Sequence, residues 1–276
     1  MWRFSSKTMA TQQTARAIGA LELLCAHPAG LPLQAIADAL GMPKSAAHRT
    51  LADLVELGHA RQDAGNSRYL LNTRLLSLAF GFLATSGLSD VTQPILDALA
   101  QTTGELVRLG VIDGDRQVWI AKAQGAPGGL RYDPDMGREA ALSCTASGHA
   151  WLAAVHGDDA LAMIARQGIT TYEGQGPNAP RTLRDVMAGV LRARERGYAW
   201  LVDSAAPGLA AVAAAVHHPA SGAVLGTVSV AGPSVRLTEA RLPEVAPALL
   251  AAARELGLAS SGSAFFSARD HVLSPR

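Results

Sequence analysis

Residues 41–58, with the sequence GMPKSAAHRTLADLVELG, decide the fold of the N-terminal part of the chain. A glycine and a proline precede a run of helix-forming residues that stops at Gly58, so the stretch predicts a tight turn followed by a helix over Lys44–Leu57. One face of this helix carries small and apolar residues, namely Ala47, Leu51 and Leu54. The opposite face carries Ser45, His48, Arg49 and Ala52. This spacing predicts a helix with one side in a core and the other side in solvent.

Two shorter helical patterns precede this helix, and an extended pair follows it. Apolar spacing predicts helices over Gln12–His27, with Thr14 as the N-cap, and over Leu33–Leu40. Residues 59–72 contain Asp-Ala-Gly-Asn-Ser between two short extended runs, which is typical of a β-hairpin. Three short helices and a hairpin form a winged helix-turn-helix, and we expect this domain to span residues 12–72.

The rest of the chain predicts a linker helix and a second, larger domain. Residues 73–90 are apolar at helical spacing and more apolar than a free linker needs to be, so we expect them to pack against a partner chain. Strand-like runs follow at 106–112, 117–123, 198–202, 209–217 and 223–231, and an Asp-Gly-Asp turn of type I′ joins the first two. Helical patterns bracket these strands, so residues 91–258 predict an α+β domain with an antiparallel sheet. The polar residues 259–276 predict a disordered tail.

Composition excludes several classes of protein. With 49% hydrophobic and 17% charged residues, the 276-residue chain is globular and long enough for two domains. Residues 1–74 carry eight Lys and Arg against five Asp and Glu, a net charge of +3, which leaves −2 for the remainder and suits a polyanionic partner of the first domain. The two cysteines imply no disulfide framework, and no apolar run of 18 residues or secretory signal occurs, so a cytoplasmic protein without a membrane segment is expected. No nucleotide-binding fingerprint or metal-ligand spacing occurs, and we expect no cofactor.

The exposed face of the third helix carries the residue types that contact DNA in a major groove. Arg49 has the donors for a bidentate contact to guanine, and Ser45 and His48 lie beside it, where they reach base edges or phosphates. Basic residues expected to meet the phosphate backbone surround this face: Lys44 at the helix start, Arg16 on the first helix, and Arg61 and Arg68 on the hairpin. The alternatives are an ordinary solvated helix face and, for Arg68, an ion pair with Asp63 across the hairpin.

These stretches resemble a known family. The sequence from Arg16 through the hairpin resembles the DNA-binding domain of the IclR family of bacterial transcriptional regulators, most closely at residues 41–58. The resemblance continues at residues 141–153 (ALSCTASGHAWLA), 192–200 (RARERGYAW) and 228–256, and it covers about residues 12–258. It implies a GAF-like effector-binding domain, a homodimer that pairs in some members into a tetramer, and palindromic operator DNA. It also implies control of catabolic operons for organic acids or aromatic compounds.

The resemblance also implies where a small organic effector binds. The implied residues are Arg131 and Tyr132 on a short strand, Ser143, Cys144, Thr145 and Ala146 at a helix start, Asp203 and Ser204 on a facing loop, and Ser229 on a central strand. Two of these positions have structural alternatives, Thr145 as a helix N-cap and Cys144 as a small buried residue. Ser143 and His149 depart from the family's frequent His and Lys, and Ala215 replaces a common Pro. The run DSAAPGLAAVAAAV, from residue 203, is almost without polar side chains, which favours a more hydrophobic effector than a small keto acid.

The sequence supports catalysis and metal binding less well than it supports DNA and effector binding. Cys144 lies near a helix start and His149 follows it, but no acid that would orient the histidine is evident. His217 and His218 are adjacent on a strand and point to opposite faces, so they cannot both hold one ion without help from other residues. We therefore predict a regulator and no enzyme. The alternative is a GAF-type ligand-binding, catalytic or protein-interaction domain with a vestigial helix-turn-helix.

Overall fold

The computed structural model describes residues 11–134, 136–169, 171 and 174–266. The chain divides after Leu83 into two compact units. The fold is α+β, as predicted, with a helical N-terminal unit and a C-terminal unit built on an antiparallel sheet.

The described residues of the N-terminal unit form three helices and a hairpin, followed by most of a fourth helix. These are α1 (Gln12–Cys25), α2 (Leu33–Ala39), α3 (Lys44–Glu56), β1 (Ala60–Gln62) and β2 (Tyr69–Leu71). The strands pair antiparallel, and Leu31 adds a bridge to Tyr69. The three helices and the hairpin share one core, formed by Ala20, Leu24, Ile36, Leu51, Leu54, Ala60 and Tyr69. Helix α1 begins at Gln12 as predicted, but the prediction of Thr14 as its N-cap is wrong, because the N-cap is Thr11, whose side chain accepts the Thr14 N–H.

Helix α4 (Arg74–Ser86) follows the hairpin and is rich in exposed apolar side chains. Leu76, Leu78, Phe80 and Phe82 are each more than half exposed. Gly87, in the left-handed conformation with φ 63°, separates α4 from α5. Exposed leucine and phenylalanine at this density are unusual on a single helix of a soluble domain.

The C-terminal unit is a three-layer arrangement around a five-stranded sheet. Its helices are α5 (Leu88–Thr103), α6 (Ala146–Ala154), α7 (Gly157–Gln167), α8 (Leu183–Arg196) and α9 (Leu242–Ala259). Its strands are β3 (Leu106–Asp113), β4 (Arg116–Gln124), β5 (Ala199–Val202), β6 (Leu209–His217) and β7 (Val224–Pro233). The sheet has the order β4-β3-β7-β6-β5, and every neighbouring pair is antiparallel. Helices α5 and α9 pack together against one face, and α6 with α8 covers the other.

Three local predictions need correction. Residues 259–266 of the expected disordered tail are folded: the Ser263 hydroxyl donates to the Ser86 carbonyl at 2.9 Å, and the Phe266 ring is buried. Residues 267–276 lie outside the described residues. The β3–β4 turn has a positive φ at Gly114 and none at Asp115, which is the type II′ pattern instead of type I′. Arg131 and Tyr132 lie in a loop and not on a strand.

Among the described residues, no single helix is long and apolar enough to cross a membrane. The bent pair Arg74–Ser86 and Leu88–Thr103 passes that test together, by length and composition only.

Candidate DNA-binding helix and ligand cavity

The structure places the predicted recognition residues of α3 together on one exposed face. Helix α3 begins directly after Pro43, whose fixed φ suits a helix start. It buries Ala46, Ala47, Thr50, Leu51 and Leu54 in the unit's core. Lys44, Ser45, His48 and Arg49 are all exposed on the other side. The buried face thus holds the helix by packing, and the polar face is available to a partner.

The three other predicted basic residues differ in their surroundings. Arg61 on β1 is exposed, and Arg16 on α1 is half-buried. Arg68 is half-buried, and its guanidinium donates from Nε (3.1 Å) and Nη2 (2.8 Å) to the carbonyl of Gly30. The alternative ion pair with Asp63 does not form, since the Arg68 guanidinium is directed at the Gly30 carbonyl, and Asp63 Oδ1 accepts the backbone N–H groups of Gly65 and Asn66. Arg68 therefore ties the hairpin to the loop after α1.

A cavity of about 370 Å³ lies in the C-terminal unit on the α6 side of the sheet. Strand residues form its floor, the loop before α6 and the α6 N-terminus form one wall, and the β5–β6 loop forms another. The apolar part of the lining includes Leu209, Ala211 and Ala231. The polar part includes Arg108, Trp119, Tyr132, Arg138, Glu139, Thr145 and Ser229. A mostly apolar cavity with a few polar groups is the usual build of a small-molecule site.

The strand register places the side chains of Arg108, Ser229 and Trp119 on the same face of the sheet. Arg108 on β3 lies directly opposite Ser229 on β7, so their side chains share a face. Between β3 and β4 the register shifts, so that Leu109 pairs with Ala121 but Gly110 pairs with Trp119. The extra residue, Ile120, is a β-bulge, and it turns the Trp119 side chain to the face that Arg108 occupies.

The Arg108 guanidinium is almost completely buried, with the whole residue 6% exposed. Its central carbon lies 3.8 Å from the centre of the Trp119 ring and 5.6 Å from that of Tyr132. Burial lowers the pKa of the Arg108 guanidinium, and Tyr132 partly opposes that decrease. Three buried polar atoms of the lining have no hydrogen-bond partner among the described residues: Arg108 Nε, Trp119 Nε1 and Ser229 Oγ.

Four of the predicted effector residues line the cavity, namely Tyr132, Thr145, Ala146 and Ser229. Five do not: Arg131 is exposed in a loop beside Asp133, and Ser143, Cys144, Asp203 and Ser204 lie outside the lining.

Thr145 is the N-cap of α6, where its side chain accepts the Gly148 N–H. Gly148 is required by close packing, since a Cβ there would lie 2.5 Å from the Leu142 backbone.

Asp203 and Ser204 shape the cavity wall indirectly. Asp203 has a positive φ of 51°, unusual for a residue with a side chain, and its carboxylate accepts the Gly208 N–H at 2.5 Å. The Ser204 hydroxyl donates to the Cys144 carbonyl at 2.8 Å, which fastens the loop to the segment before α6. Between these two attachments, Ala205 and Ala206 lie against the cavity.

Sequence reasoning missed Arg108 and Trp119. One signal was present for Arg108, because a single arginine interrupts the otherwise apolar strand LVRLGVI. Nothing in the sequence indicated Trp119, since the bulge that orients it depends on strand pairing.

The residues considered for catalysis and metal binding have other partners. Cys144 is buried, and the His149 ring donates from Nε2 to the Ser143 carbonyl at 2.9 Å. Burial lowers the pKa of His149, which favours its neutral ring. His217 contacts the Gly222 carbonyl, whereas His218 contacts the Ser221 hydroxyl. In the part of the chain that the structure describes, no group of three metal-ligating side chains comes together.

A second, larger groove of about 640 Å³ lies at the end of β6, between α6, α8 and α9. Alanines form much of its lining, and none of the predicted site residues lies in it.

A winged helix-turn-helix joined to a separate α+β domain with a cavity is an architecture of DNA-binding transcriptional regulators. The domain model for the C-terminal domain of the bacterial transcriptional regulator IclR matches residues 81–258, and the IclR helix-turn-helix domain matches residues 13–64. The chain therefore belongs to the IclR family of bacterial transcriptional regulators, which confirms the resemblance.

Similar proteins span nearly the whole chain. The glycerol operon regulatory protein of Streptomyces coelicolor is 32% identical over 251 residues, 91% of this chain and 95% of that protein. The HTH-type transcriptional regulator BhcR of Paracoccus denitrificans is 30% identical over 241 residues, 87% of this chain and 84% of that protein. An IclR homolog from Microbacterium hydrocarbonoxydans, solved in complex with 4-hydroxybenzoate, has the same fold, with a TM-score of 0.75, 19% identity and coverage of 91% of this chain and 100% of that one.

Replacing Arg68 tests its structural role. We expect Arg68→Ala to lower the free energy of unfolding of the N-terminal unit by about 1–2 kcal/mol, because two charge-assisted hydrogen bonds to a half-buried carbonyl are lost. Arg61→Ala, which removes an exposed arginine of the same hairpin, serves as the control and leaves stability within about 0.5 kcal/mol of wild type. Urea unfolding followed by circular dichroism measures both. Equal stability of the two variants would contradict a structural role for Arg68.

Proposed function

We propose that this protein binds palindromic operator DNA through α3, and that a small organic effector in the cavity modulates this binding. The exposed polar face of α3, held in place by the packing of its other face, carries the proposal. A target on the chromosome makes the cytoplasm the place of action. Cys144 lies buried outside the cavity, and we expect no enzymatic activity.

DNA recognition divides between base edges and phosphates. Arg49 is proposed to donate two hydrogen bonds to guanine, with Ser45 and His48 contacting neighbouring bases or phosphates. The phosphate contacts are assigned to Lys44, Arg61 and Arg16, all basic residues near α3 in the winged unit. Arg68 is left out of the proposed interface, because its guanidinium already binds the Gly30 carbonyl.

The effector and the target genes are inferred from chemistry and from relatives. The cavity has an apolar lining with a few buried donors, which suits a small organic molecule with one polar group. A homolog of the same fold was solved with 4-hydroxybenzoate, and one relative is a regulatory protein of a glycerol operon. These relatives support control of a catabolic operon.

A homodimer would match a palindromic operator, since each half-site then receives one α3. Helix α4 offers a surface for self-association, with Leu76 56% and Phe80 65% exposed. Burying such side chains against a second copy would remove apolar surface from water at about 25 cal/mol per Å². The effector would then change the fraction of dimers in which the two α3 helices have the spacing of the DNA half-sites. Helix α4, which joins the winged domain to the effector domain, would transmit the change. Pairing of two such dimers would give a tetramer.

Loss of Arg49 tests DNA recognition. We expect Arg49→Ala to bind DNA from upstream of the protein's own gene about tenfold or more weakly than wild type, because a bidentate contact to a base is lost. Arg184→Ala, on an exposed site of α8, serves as the control and binds as wild type does. Fluorescence anisotropy at several salt concentrations measures the affinities, and wild-type affinity falls steeply with salt. If wild type and Arg49→Ala bind equally poorly, the assignment of α3 to DNA is wrong.

Charges on α4 test the homodimer. We expect the double substitution Leu76→Glu and Phe80→Glu to halve the mass measured by light scattering after gel filtration, because a carboxylate cannot be buried in an apolar contact without a large cost. Val235→Glu changes another strongly exposed apolar residue in the same way and keeps the wild-type mass. An unchanged mass of the double variant would place the dimer contact elsewhere.

Effector coupling is tested on the operator complex. We expect a ligand that calorimetry shows to bind the protein to change operator affinity by about 5- to 150-fold, the usual range of coupling between two sites. The affinity and the footprint on the DNA are measured with and without that ligand. A ligand that binds the protein but changes neither the operator affinity nor the footprint would contradict the proposed modulation.

A further inference from the structure

The larger groove, of about 640 Å³, lies at a place where the sheet loses a strand. Strand β5 begins at Ala199, which pairs with Ala213, whereas β6 continues to His217. The chain before β5 turns away at Gly197, which ends α8 in the left-handed conformation with φ 79°. Among the described residues, the last part of β6 therefore has no neighbouring strand on the β5 side, and the groove lies there.

The backbone of Ala215 faces this open edge. The Asp203 N–H donates to the Leu209 carbonyl at 2.8 Å, so Leu209 directs its backbone groups towards the β5 side. Backbone groups alternate between the two sides of a strand, so Ala215, an even number of residues further on, directs its N–H and carbonyl the same way. No described residue pairs with them, and Ala215 is half-buried in the groove lining. Unpaired backbone groups at a sheet edge are a template for an added strand.

The groove is positively charged, although the unit that contains it is negative overall. The described residues of its lining include no aspartate or glutamate but two arginines and two histidines, namely Arg194, Arg254, His217 and His218. Residues 75–276 as a whole carry a net charge of −2. The groove therefore complements a negatively charged partner.

The two arginines lie on different walls of the groove. Arg194 on α8 donates from Nε at 3.0 Å to the Ala153 carbonyl and from Nη2 at 2.7 Å to the Val155 carbonyl. These bonds fix its guanidinium at the end of α6 and leave Nη1 without a partner among the described residues. Arg254 on α9 is exposed and forms no ion pair with a described residue. A segment that lies between the walls can thus present a carboxylate to each arginine.

The floor of the groove favours a polypeptide over other anions. It is apolar and consists mainly of small side chains, among them Ala150, Ala153, Ala193 and Ala253. A nucleic acid would use the two arginines but has no apolar side chains to place on such a floor. A polypeptide uses all three features, because it also pairs with the unpaired N–H and carbonyl of a strand edge.

We propose that this groove binds an acidic segment of a partner protein in an extended conformation, paired with β6 at Ala215. Its carboxylates meet Arg194 and Arg254, and its apolar side chains lie on the alanine floor. Successive side chains of a strand point to opposite faces, so two adjacent acidic residues direct one carboxylate to each wall. The surface shares no residue with the DNA-binding face of α3 or the smaller cavity, so it adds a protein partner to the two proposed ligands.

Binding is tested on the full-length protein with a short labelled peptide. The probe is Val-Glu-Glu-Val-Glu-Glu-Val, blocked at both ends, and its counterpart has lysine in place of glutamate. We expect fluorescence anisotropy to show at least about tenfold tighter binding of the acidic peptide, because the charges of the groove repel the basic one. Methylation of the peptide's backbone nitrogens is expected to weaken binding about three- to tenfold, since the hydrogen bond to the Ala215 carbonyl is lost. Absence of binding at millimolar concentration, or equal binding of the acidic and basic peptides, overturns the proposal.

Two variants assign the binding to the groove. Arg254→Glu reverses a charge on one wall and is expected to lose about tenfold or more in affinity for the acidic peptide. Ala215→Pro removes only an N–H that the sheet does not use, so a fold-preserving loss of about three- to tenfold is expected. Arg166→Glu reverses an exposed arginine on α7 outside the groove and binds as wild type does. If Arg254→Glu and Ala215→Pro both keep wild-type affinity, the peptide binds elsewhere and the proposal is wrong.

Folding and the other occupants are tested on the same variants. Circular dichroism and thermal unfolding show whether each variant is folded, and if Ala215→Pro is not, Arg254→Glu decides. Light scattering compares the mass of Arg254→Glu with that of wild type, and a lower mass would assign the groove to a second copy of the chain. Anisotropy with a DNA duplex of unrelated sequence tests nucleic acid, and a loss as large as that for the peptide would assign the groove to DNA. Either result overturns the proposal.

Discussion

The central pairing of β3 with β7 is the constraint on which the C-terminal unit depends. It places Arg108 opposite Ser229 and separates two helix layers, α5 with α9 on one side and α6 with α8 on the other. On the first side the strands supply apolar residues such as Val107, Leu109 and Val228, which close a dry core. On the second side, β7 supplies Thr227, Ser229 and Ala231, and β3 supplies Arg108 and Gly110 between Leu106 and Ile112. The cavity lies at this less uniformly apolar face. The cavity therefore follows from the alternation of residues along two central strands.

The N-terminal unit has a smaller core, which holds one helix in place. Apolar residues from three helices and the hairpin bury one face of α3 and leave its other face exposed. Arg68 strengthens this arrangement by joining the hairpin to the loop after α1. A recognition surface needs such rigid support, because base contacts require side chains held at fixed positions.

The two units use arginine in three ways. Arg49 is exposed on α3, Arg68 is bound to a backbone carbonyl, and Arg108 is buried against the rings of Trp119 and Tyr132. The residue type is identical, and its surroundings decide whether it is exposed on a helix, holds two segments of the fold together, or is buried in the lining of a cavity. This is the reason that net charge alone says little about the sites of this protein.

The sequence by itself determined the local elements and the family: the three short helices, the hairpin, the strands of the sheet and the polar face of α3. Helical and strand periodicities, glycine stops and proline starts act over a few residues, so they are visible in the chain. Tertiary structure alone decided the partner of Arg68, which is 38 residues away in the chain, the burial of Phe266, and the bulge that turns Trp119 towards Arg108. These depend on which strands pair and in which register, and a one-residue shift in register moves every side chain to the other face of the sheet.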